Sequence, residues 1–189
     1  MDIQTELTPN PSSLKFLPGK IVMEKGTADF RNAEAAKSSP LALNLFKVDG
    51  VEGVFFGSDF IAITKNDNHE WQMLKPSISK TIIECYKSGA AIMLQGEEDK
   101  TDTSNTGDSE AVVKIKEILE TKVRPAVAKD GGDITFQSFD NGIVYLHMLG
   151  SCSGCPSSTA TLKAGIENML KHYIPEVREV RPVTQNSST

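Results

Sequence analysis

One stretch without any apolar side chain, residues 95–108, constrains the fold of this chain more than any other feature. Its fourteen residues read Gln-Gly-Glu-Glu-Asp-Lys-Thr-Asp-Thr-Ser-Asn-Thr-Gly-Asp. Such a segment cannot bury enough surface to offset the entropy lost when it is ordered, so it is predicted to be a flexible linker. A linker of this length spans roughly 20 Å root-mean-square. The sequence therefore predicts two separate domains, residues 1–94 and 109–183, followed by a polar tail at 184–189.

The first predicted domain, residues 1–94, mixes short strand-like and helix-like runs and is assigned to the α+β class. Ser39 and the proline after it have the pattern of a helix start, because serine caps and proline suits the first helical position. Residues 51–56 and 59–65 flank Gly57 as the two strands of a hairpin. Pro76 is predicted to open a second helix, which Gly89 ends.

The second predicted domain, residues 109–183, has the element order α-β-β-α-β, which is also α+β. Ser109 is a candidate N-cap, and Pro125 is expected to kink the first helix or end its regular part. Asn141 and Gly142 mark the turn of a hairpin. A weak last strand is predicted at 177–181. The buried faces of the two helices are predicted from apolar spacing: Val112, Ile115, Leu119, Val123 and Ala126 on the first, and Leu162, Ile166, Met169 and Tyr173 on the second.

Charge and the first residues exclude several classes of partner and location. The formal net charge is −5 with no dense basic cluster, which argues against nucleic acid as a partner. No apolar run approaches the ~20 residues that span a bilayer, so no membrane partner is expected. Residues 1–6 resemble neither a signal peptide nor an Arg-rich transit peptide. The protein is therefore expected to be cytoplasmic.

The chemistry of the chain is concentrated in a C-x-x-C loop formed by Cys152 and Cys155, between a strand-like run at 143–149 and a helix-like run at 157–173. Two thiolates at this spacing can bind one metal side by side, but a four-coordinate centre needs two further ligands. Cys155 lies near the first N–H groups of the following helix, and these are expected to lower its thiol pKa. Both cysteines are expected to be partly ionised before any metal binds.

Three functions fit this loop on residue pattern alone. The first is a thioredoxin-like dithiol redox module, although the motif comes late in a small domain. The second is half of a zinc site, for which His147 and His172 are the local candidates to complete the ligand set. The third is an iron–sulfur site in which a second copy of the chain supplies the remaining thiolates. Soft thiolates suit zinc and iron–sulfur clusters alike, so the pattern leaves both open.

A family resemblance separates these functions. Residues 109–182 resemble the Nfu domain, the C-terminal module of NifU-type iron–sulfur proteins, and residues 2–88 resemble the N-terminal domain that accompanies it. The resemblance of the second domain is carried by Val123-Arg124-Pro125, Asp130-Gly131-Gly132-Asp133-Ile134 and Gly150-Ser151-Cys152-Ser153-Gly154-Cys155-Pro156-Ser157-Ser158. That of the first is carried by Thr8-Pro9-Asn10-Pro11, Leu14-Lys15-Phe16 and Val54-Phe55-Phe56-Gly57-Ser58-Asp59-Phe60.

The resemblance implies an iron–sulfur cluster scaffold or carrier rather than an enzyme. It implies that Cys152 and Cys155 bind a [4Fe–4S] cluster shared between the two chains of a homodimer. It further implies that the cluster comes from an upstream donor and passes to apo iron–sulfur proteins. For residues 1–94 we infer a role in partner recognition.

The remaining candidate residues have simpler interpretations. Cys85 continues the apolar helical stripe of Ile78 and Ile82 and is predicted to be a buried structural thiol. Asp130 and Asp133 flank two glycines and are predicted to stabilise a turn through side-chain-to-backbone hydrogen bonds. The chain has only three cysteines, and because this number is odd, a disulfide framework is not expected.

Overall fold

The computed structural model describes residues 2–94, 109–153 and 156–183. The chain divides into two compact units, Met1–Lys100 and Thr101–Thr189, each with mixed helix and strand content. The predicted α+β class with two domains is confirmed. The predicted linker at 95–108 and the tail at 184–189 lie outside the described residues, and the domain boundaries stay predictions. Within the described ranges, no helix has the length and apolar character needed to cross a membrane.

The first unit is built on a five-stranded sheet in which every neighbouring pair is antiparallel, in the order β1-β2-β5-β4-β3. Its strands are β1 (Gln4–Leu7), β2 (Ser13–Leu17), β3 (Ala28–Phe30), β4 (Val51–Phe56) and β5 (Ile61–Lys65). A short 3₁₀ helix (Ala35–Ser38) precedes α1 (Pro40–Phe46), and α2 (Trp71–Ser88) follows the sheet. The predicted helix start at Ser39 is correct, since its side chain accepts a hydrogen bond from the Ala42 N–H at 3.1 Å.

The core of the first unit lies between one face of this sheet and the two helices. Side chains alternate between the faces of a strand, so Leu14 and Phe16 of β2 point to the same side. They pack with Leu45 of α1 and with Ile78 and Ile82 of α2, and all five are essentially inaccessible to solvent. Cys85 lies in the same cluster, which confirms it as a buried thiol.

Helix α2 begins five residues before the predicted start at Pro76. Glu70 is its N-cap residue, and the Glu70 carbonyl accepts the Met73 and Leu74 N–H groups at 3.1 and 3.2 Å. The extra turn buries Leu74 in line with Ile78, and it places Pro76 inside the helix. Burial of one more apolar residue therefore outweighs the backbone hydrogen bond that a proline cannot donate. The predicted end at Gly89 is correct, because this residue adopts a left-handed C-cap.

The second unit has the predicted order α-β-β-α-β. Its helices are α3 (Glu110–Ile118), a π-helical segment (Leu119–Val123), α4 (Arg124–Lys129) and α5 (Pro156–Tyr173). Its strands are β6 (Gly132–Asp140), β7 (Ile143–Gly150) and β8 (Glu179–Val183), in the order β6-β7-β8. The hairpin of β6 and β7 turns at Asn141 and Gly142, both with positive φ, as predicted. Strand β8 starts two residues later than predicted and runs parallel to β7, with α5 as the crossover.

The π-helical segment changes which residues of the first helix are buried. Ile115, Leu119, Val123 and Val127 are buried at a spacing of four residues, and Ala126 is exposed. A regular α-helix has 3.6 residues per turn, so such a stripe would drift around it. The wider π turn removes the drift and moves the buried position from the predicted Ala126 to Val127. The segment ends at Val123, two residues before Pro125, where the sequence predicts an irregularity.

The buried face of α5 also differs from the prediction at its C-terminal end. Ile166 is buried as expected, but Leu170 and Ile174 follow it in the core, and Tyr173 is 50% exposed. The Tyr173 ring instead lies 5.3 Å from the Lys122 ammonium. An apolar spacing of three or four residues fits both positions, and the amphipathic tyrosine takes the solvent side.

Candidate functional site

The cysteine loop begins where the central strand of the second unit ends. Gly150 is the last residue of β7 and has a φ of +61°, a left-handed conformation that favours glycine. The Gly150 carbonyl accepts the Ser153 N–H at 3.1 Å and the Ser153 hydroxyl at 2.8 Å. These two bonds close a tight turn around Cys152. The loop therefore leads from the carboxyl end of a strand to the first turn of α5.

Residues 130–133 form a cradle beneath this loop. Helix α4 ends at Lys129, and Gly131 reverses the chain with a φ of +79°. The Gly131 carbonyl accepts the Ser151 N–H at 3.2 Å, and the Asp130 carbonyl accepts the Ser151 hydroxyl in a short hydrogen bond. Two consecutive carbonyls of the cradle thus bind the residue that precedes Cys152.

Gly132 provides the surface on which the Cys152 thiol lies. A Cβ atom at this position would be 2.4 Å from the Cys152 Sγ, 2.8 Å from the Leu149 carbonyl oxygen and 3.0 Å from the Cys152 nitrogen. Real Cβ atoms essentially never approach other atoms so closely. Only glycine therefore leaves room for the sulfur in this position.

A buried ion pair anchors the far end of the cradle. Asp133 is nearly fully buried, and its two oxygens accept hydrogen bonds from Arg124 Nε at 2.9 Å and Nη2 at 2.8 Å. Arg124 Nη1 also binds both oxygens of Glu120, at 2.7 and 2.8 Å. The Asp133 Oδ1 accepts the Ile134 N–H at 2.8 Å. The predicted side-chain-to-backbone bond exists, but the principal partner of Asp133 is a guanidinium that the turn interpretation did not include.

The surroundings of Cys152 disfavour its ionised form. Burial is the largest cause that raises the pKa of its thiol to about 12, and the Asp130 carboxylate raises it as well. A hydrogen bond with Ser151 acts in the opposite direction, and Asp133 adds a smaller increase. The expectation of a partly ionised Cys152 before metal binding is therefore wrong. The predicted lowering of the thiol pKa concerns Cys155, which lies outside the described residues.

The two histidines considered as zinc ligands are not near the Cys152 thiol. His147 lies on the opposite face of β7 from the buried Val144, Leu146 and Met148. His172 lies near the far end of α5, about 24 Å along the helix axis from Pro156 at 1.5 Å per residue. Among residues 2–94, 109–153 and 156–183, no three His, Cys, Asp or Glu side chains come together as a metal site would require.

Several residues of this site were not singled out by sequence reasoning. The sequence predicts Gly132 only as a turn residue, and it gives no structural role to Ser151 or Arg124 beyond their place in the family motifs. Thr159, in the first turns of α5, donates its hydroxyl to the Cys152 carbonyl at 3.3 Å. The available signal was the glycine pair at 131 and 132, because two adjacent glycines indicate a close approach of another backbone.

Both halves of the chain match family models. Residues 3–89 match the model described as "Scaffold protein Nfu/NifU N terminal", and residues 115–181 match the "NifU-like domain". The chain belongs to the Nfu/NifU family. The resemblance noted from the sequence is thereby confirmed, and this is a scaffold family rather than a catalytic one.

Curated relatives in the Nfu/NifU family are similar over almost the whole chain. "NifU-like protein 4, mitochondrial" of Arabidopsis thaliana is 54% identical over 184 residues, which cover 95% of this chain and 65% of that protein. "NFU1 iron-sulfur cluster scaffold homolog, mitochondrial" of Drosophila willistoni is 52% identical over 184 residues, which cover 97% of this chain and 64% of that protein. The chain thus spans a little less than two thirds of the length of these two relatives.

The names of these Nfu/NifU relatives correct one expectation. Both are named as mitochondrial proteins, and so is a second Arabidopsis relative with 54% identity. The predicted cytoplasmic location is wrong, because these names point to the mitochondrion. The composition of the first six residues cannot decide location in a family whose curated members are longer than this chain.

Proposed function

We propose that this Nfu-family chain is an iron–sulfur cluster scaffold or carrier. In this proposal Cys152 and Cys155 of two copies bind one [4Fe–4S] cluster, which is the cargo and passes to apo iron–sulfur proteins. The observation that carries the proposal is the incomplete ligand set. Among the described residues, the loop contains the Cys152 thiol and no group of three metal-binding side chains, which supports a site completed by Cys155 and by a second chain.

The donor chemistry of the loop fits an iron–sulfur cluster. Thiolates are the usual ligands of such clusters, and a [4Fe–4S] cluster takes four of them. A C-x-x-C loop supplies two, so two copies related by a two-fold axis supply four. Backbone N–H groups in the first turn of α5 (Pro156–Tyr173) follow the loop directly, where they can donate to sulfur.

The structure gives less support to the alternatives. A thioredoxin-like dithiol module is disfavoured by topology, because the loop follows the second strand of a three-stranded sheet, late in a small unit. A zinc site completed within one chain would need His147 or His172 near the loop, and neither lies there. A zinc ion shared between two copies remains an outcome that the experiment below distinguishes.

Cluster delivery in this proposal is ligand exchange rather than turnover of a substrate. Thiolates of an acceptor protein replace Cys152 and Cys155 one at a time, so no general acid or base is needed. Cluster binding also provides part of the stability of the dimer, because ligands from both chains are joined through it. An upstream donor supplies the cluster, and residues 1–94 recognise the partner proteins.

The experiment is anaerobic reconstitution of the full chain with iron and sulfide, followed by Mössbauer spectroscopy and size measurement. We expect a [4Fe–4S] signal at about four irons per two chains, in a dimer that dissociates when the cluster is removed. Cys152→Ser and Cys155→Ser should each abolish the signal and the dimer, and Cys85→Ser should retain both. A colourless protein containing zinc, or a cluster-loaded monomer without an added thiol, contradicts the proposal.

The recognition role of residues 1–94 needs its own measurement. Cleavage of the loaded chain within residues 98–106 separates the two units without altering the cysteine loop. We expect the cluster to remain bound and its transfer to an acceptor protein to slow. Unchanged transfer after cleavage contradicts a recognition role while leaving the cluster site intact.

A further inference from the structure

The position of Cys152 conflicts with what a ligand shared between two chains must do. The residue is only 6% exposed and belongs to the hydrophobic core of the second unit, together with Ile134 and Met148. Its sulfur lies over Gly132, which is on the same face of β6 as the buried Ile134. This is the face that packs against the helices. A sulfur in this position cannot also be a ligand at the surface where a second chain meets the first.

We propose that the cluster-free chain stores the Cys152 thiol inside the second unit, and that Gly132 is the positioning residue that makes this storage possible. Binding of the cluster then requires the thiol to turn outward from the Gly132 surface. The inference rests on the proposed cluster function but concerns the state of the chain before loading.

The hydrogen bonds of the loop show which part of Cys152 moves. Ser151 is tied to the Asp130 and Gly131 carbonyls, and the Cys152 carbonyl accepts the Thr159 hydroxyl at 3.3 Å. The backbone on both sides of the thiol is therefore held. The Cys152 side chain therefore turns between staggered positions, and the hold on its backbone limits how often the sulfur swings outward.

Storage has a chemical consequence for the unloaded chain. Oxidants and disulfides react with accessible thiolates, and a thiol packed against Gly132 is shielded from both. A methyl group at residue 132 would occupy the space of the sulfur, since its centre would lie 2.4 Å from the Cys152 Sγ. Substitution of Gly132 by alanine should therefore push the thiol outward, which makes it more reactive and not less.

The test measures alkylation of Cys152 by iodoacetamide in the full cluster-free chain. Cys85→Ser and Cys155→Ser leave Cys152 as the only thiol. We expect its reaction to be at least about tenfold slower than in the same chain unfolded in urea, and adding Gly132→Ala to remove most of this protection. The matched control is Gly165→Ala in α5, where an added Cβ meets nothing within 4 Å. This control should leave the rate unchanged.

A second variant guards against a Gly132→Ala chain that does not fold, because the new methyl also meets the Leu149 carbonyl oxygen at 2.8 Å. Ser151→Ala adds no atoms and removes the hydroxyl bond to Asp130. We expect it to accelerate labelling severalfold, because this bond ties the loop to residue 130, whereas Ser153→Ala should act less, because the Ser153 hydroxyl binds Gly150 within the same turn. Circular dichroism establishes that each variant is folded.

Two results overturn the storage proposal. One is labelling of the parent chain at the rate of the unfolded chain. The other is loss of iron binding in a folded Gly132→Ala chain that retains Cys85 and Cys155, with normal binding in Gly165→Ala, because the inward position would then be the ligating one. Failure of the cluster function itself is distinguishable, since it appears as iron retained by Cys152→Ser.

Discussion

Two cysteines of this chain are almost equally buried and yet lie in very different surroundings. Cys85 is 5% exposed and Cys152 is 6% exposed. Cys85 continues an apolar helical stripe in α2, and burial alone raises the pKa of its thiol. Cys152 lies in a loop with carboxylates and hydroxyls around it, and both burial and charge raise its pKa. Burial therefore does not distinguish a structural thiol from a candidate ligand in this protein.

The regions around Cys85 and Cys152 differ in which interactions fix the backbone. Around Cys85, helix hydrogen bonds and apolar packing suffice. Around Cys152, the chain has left regular structure, and side chains of Ser151, Ser153 and Thr159 replace the missing backbone bonds. An ion pair behind the cradle adds further order. Polar side chains therefore hold the backbone around Cys152, whereas regular helix geometry holds it around Cys85.

The largest effect should come from breaking that ion pair. Arg124→Met removes the guanidinium from the buried Asp133 carboxylate, and loss of one partner from a buried pair costs about 3–5 kcal/mol. We expect the free energy of unfolding of the second unit, measured in urea, to fall by this amount. The matched control is Arg181→Met, whose partner Glu179 is solvent-accessible, and it should cause no measurable shift. Equal shifts in the two variants would show that the Arg124 pair stabilises the unit no more than an exposed pair does.

A cavity in the first unit should have the next largest effect and should leave the cysteine loop unaffected. Ile82 is fully buried next to Cys85 in the α2 stripe, and Ile82→Ala should cost about 2–5 kcal/mol of unfolding free energy. Iron content after reconstitution should not change. Loss of cluster binding in this variant would mean that the two regions are coupled, which the comparison of the two thiols does not predict.

Two substitutions of Cys85 should have a smaller effect on stability, and together they distinguish the loss of side-chain volume from the gain of a polar group. Cys85→Ser places a hydroxyl in an apolar cluster, and burial of an unpaired hydroxyl costs about 1–3 kcal/mol. Cys85→Ala removes the sulfur without adding a polar group, so it should cost less than the serine variant. Thermal unfolding of both variants gives the order. A serine variant as stable as the alanine variant would show that water or a polar neighbour reaches this position.

The smallest effect should appear in alkaline solution. Burial raises the pKa of Cys85 above its ordinary value near 9.0, so the unfolded chain loses this proton at lower pH than the folded chain. The thiol therefore contributes stability that is complete below pH 9 and is lost as the pH rises through its folded value. The stability of the first unit should fall less steeply above pH 9 in Cys85→Ala than in the parent. Identical slopes would contradict the burial of an ionisable thiol.

Local signals in the sequence predicted much of this fold. Asn141-Gly142 marked the hairpin, Ser39 and Gly89 marked helix ends, and Cys85 was placed in a core stripe. Each of these depends on a residue and its immediate neighbours. The errors arose where distant residues decide. The start of α2 depends on burial of Leu74. The burial of Val127 in place of the predicted Ala126 depends on the π-helical segment.

The site shows the same division. The C-x-x-C spacing predicts the cysteine pair as candidate ligands, and this stays a prediction for both Cys152 and Cys155. The inward position of the Cys152 sulfur depends on Gly132, twenty positions earlier in the chain. The Arg124–Asp133 pair depends on how the π-helical segment meets β6. No local pattern encodes such contacts, because they exist only once the strands have paired.

The parallel pairing of β7 with β8 has a consequence for protein engineering. The register of this pairing is set by residues 143–147 of β7 and 179–183 of β8, before the cysteine loop begins. A ligand-bearing connection at the carboxyl end of a parallel strand can change its length while the strands keep their alignment. One or two glycines inserted between the cysteines would alter the distance between the two sulfurs while leaving the β7–β8 pairing in place. The second unit is thus a suitable scaffold for designed metal centres with different numbers of metal ions.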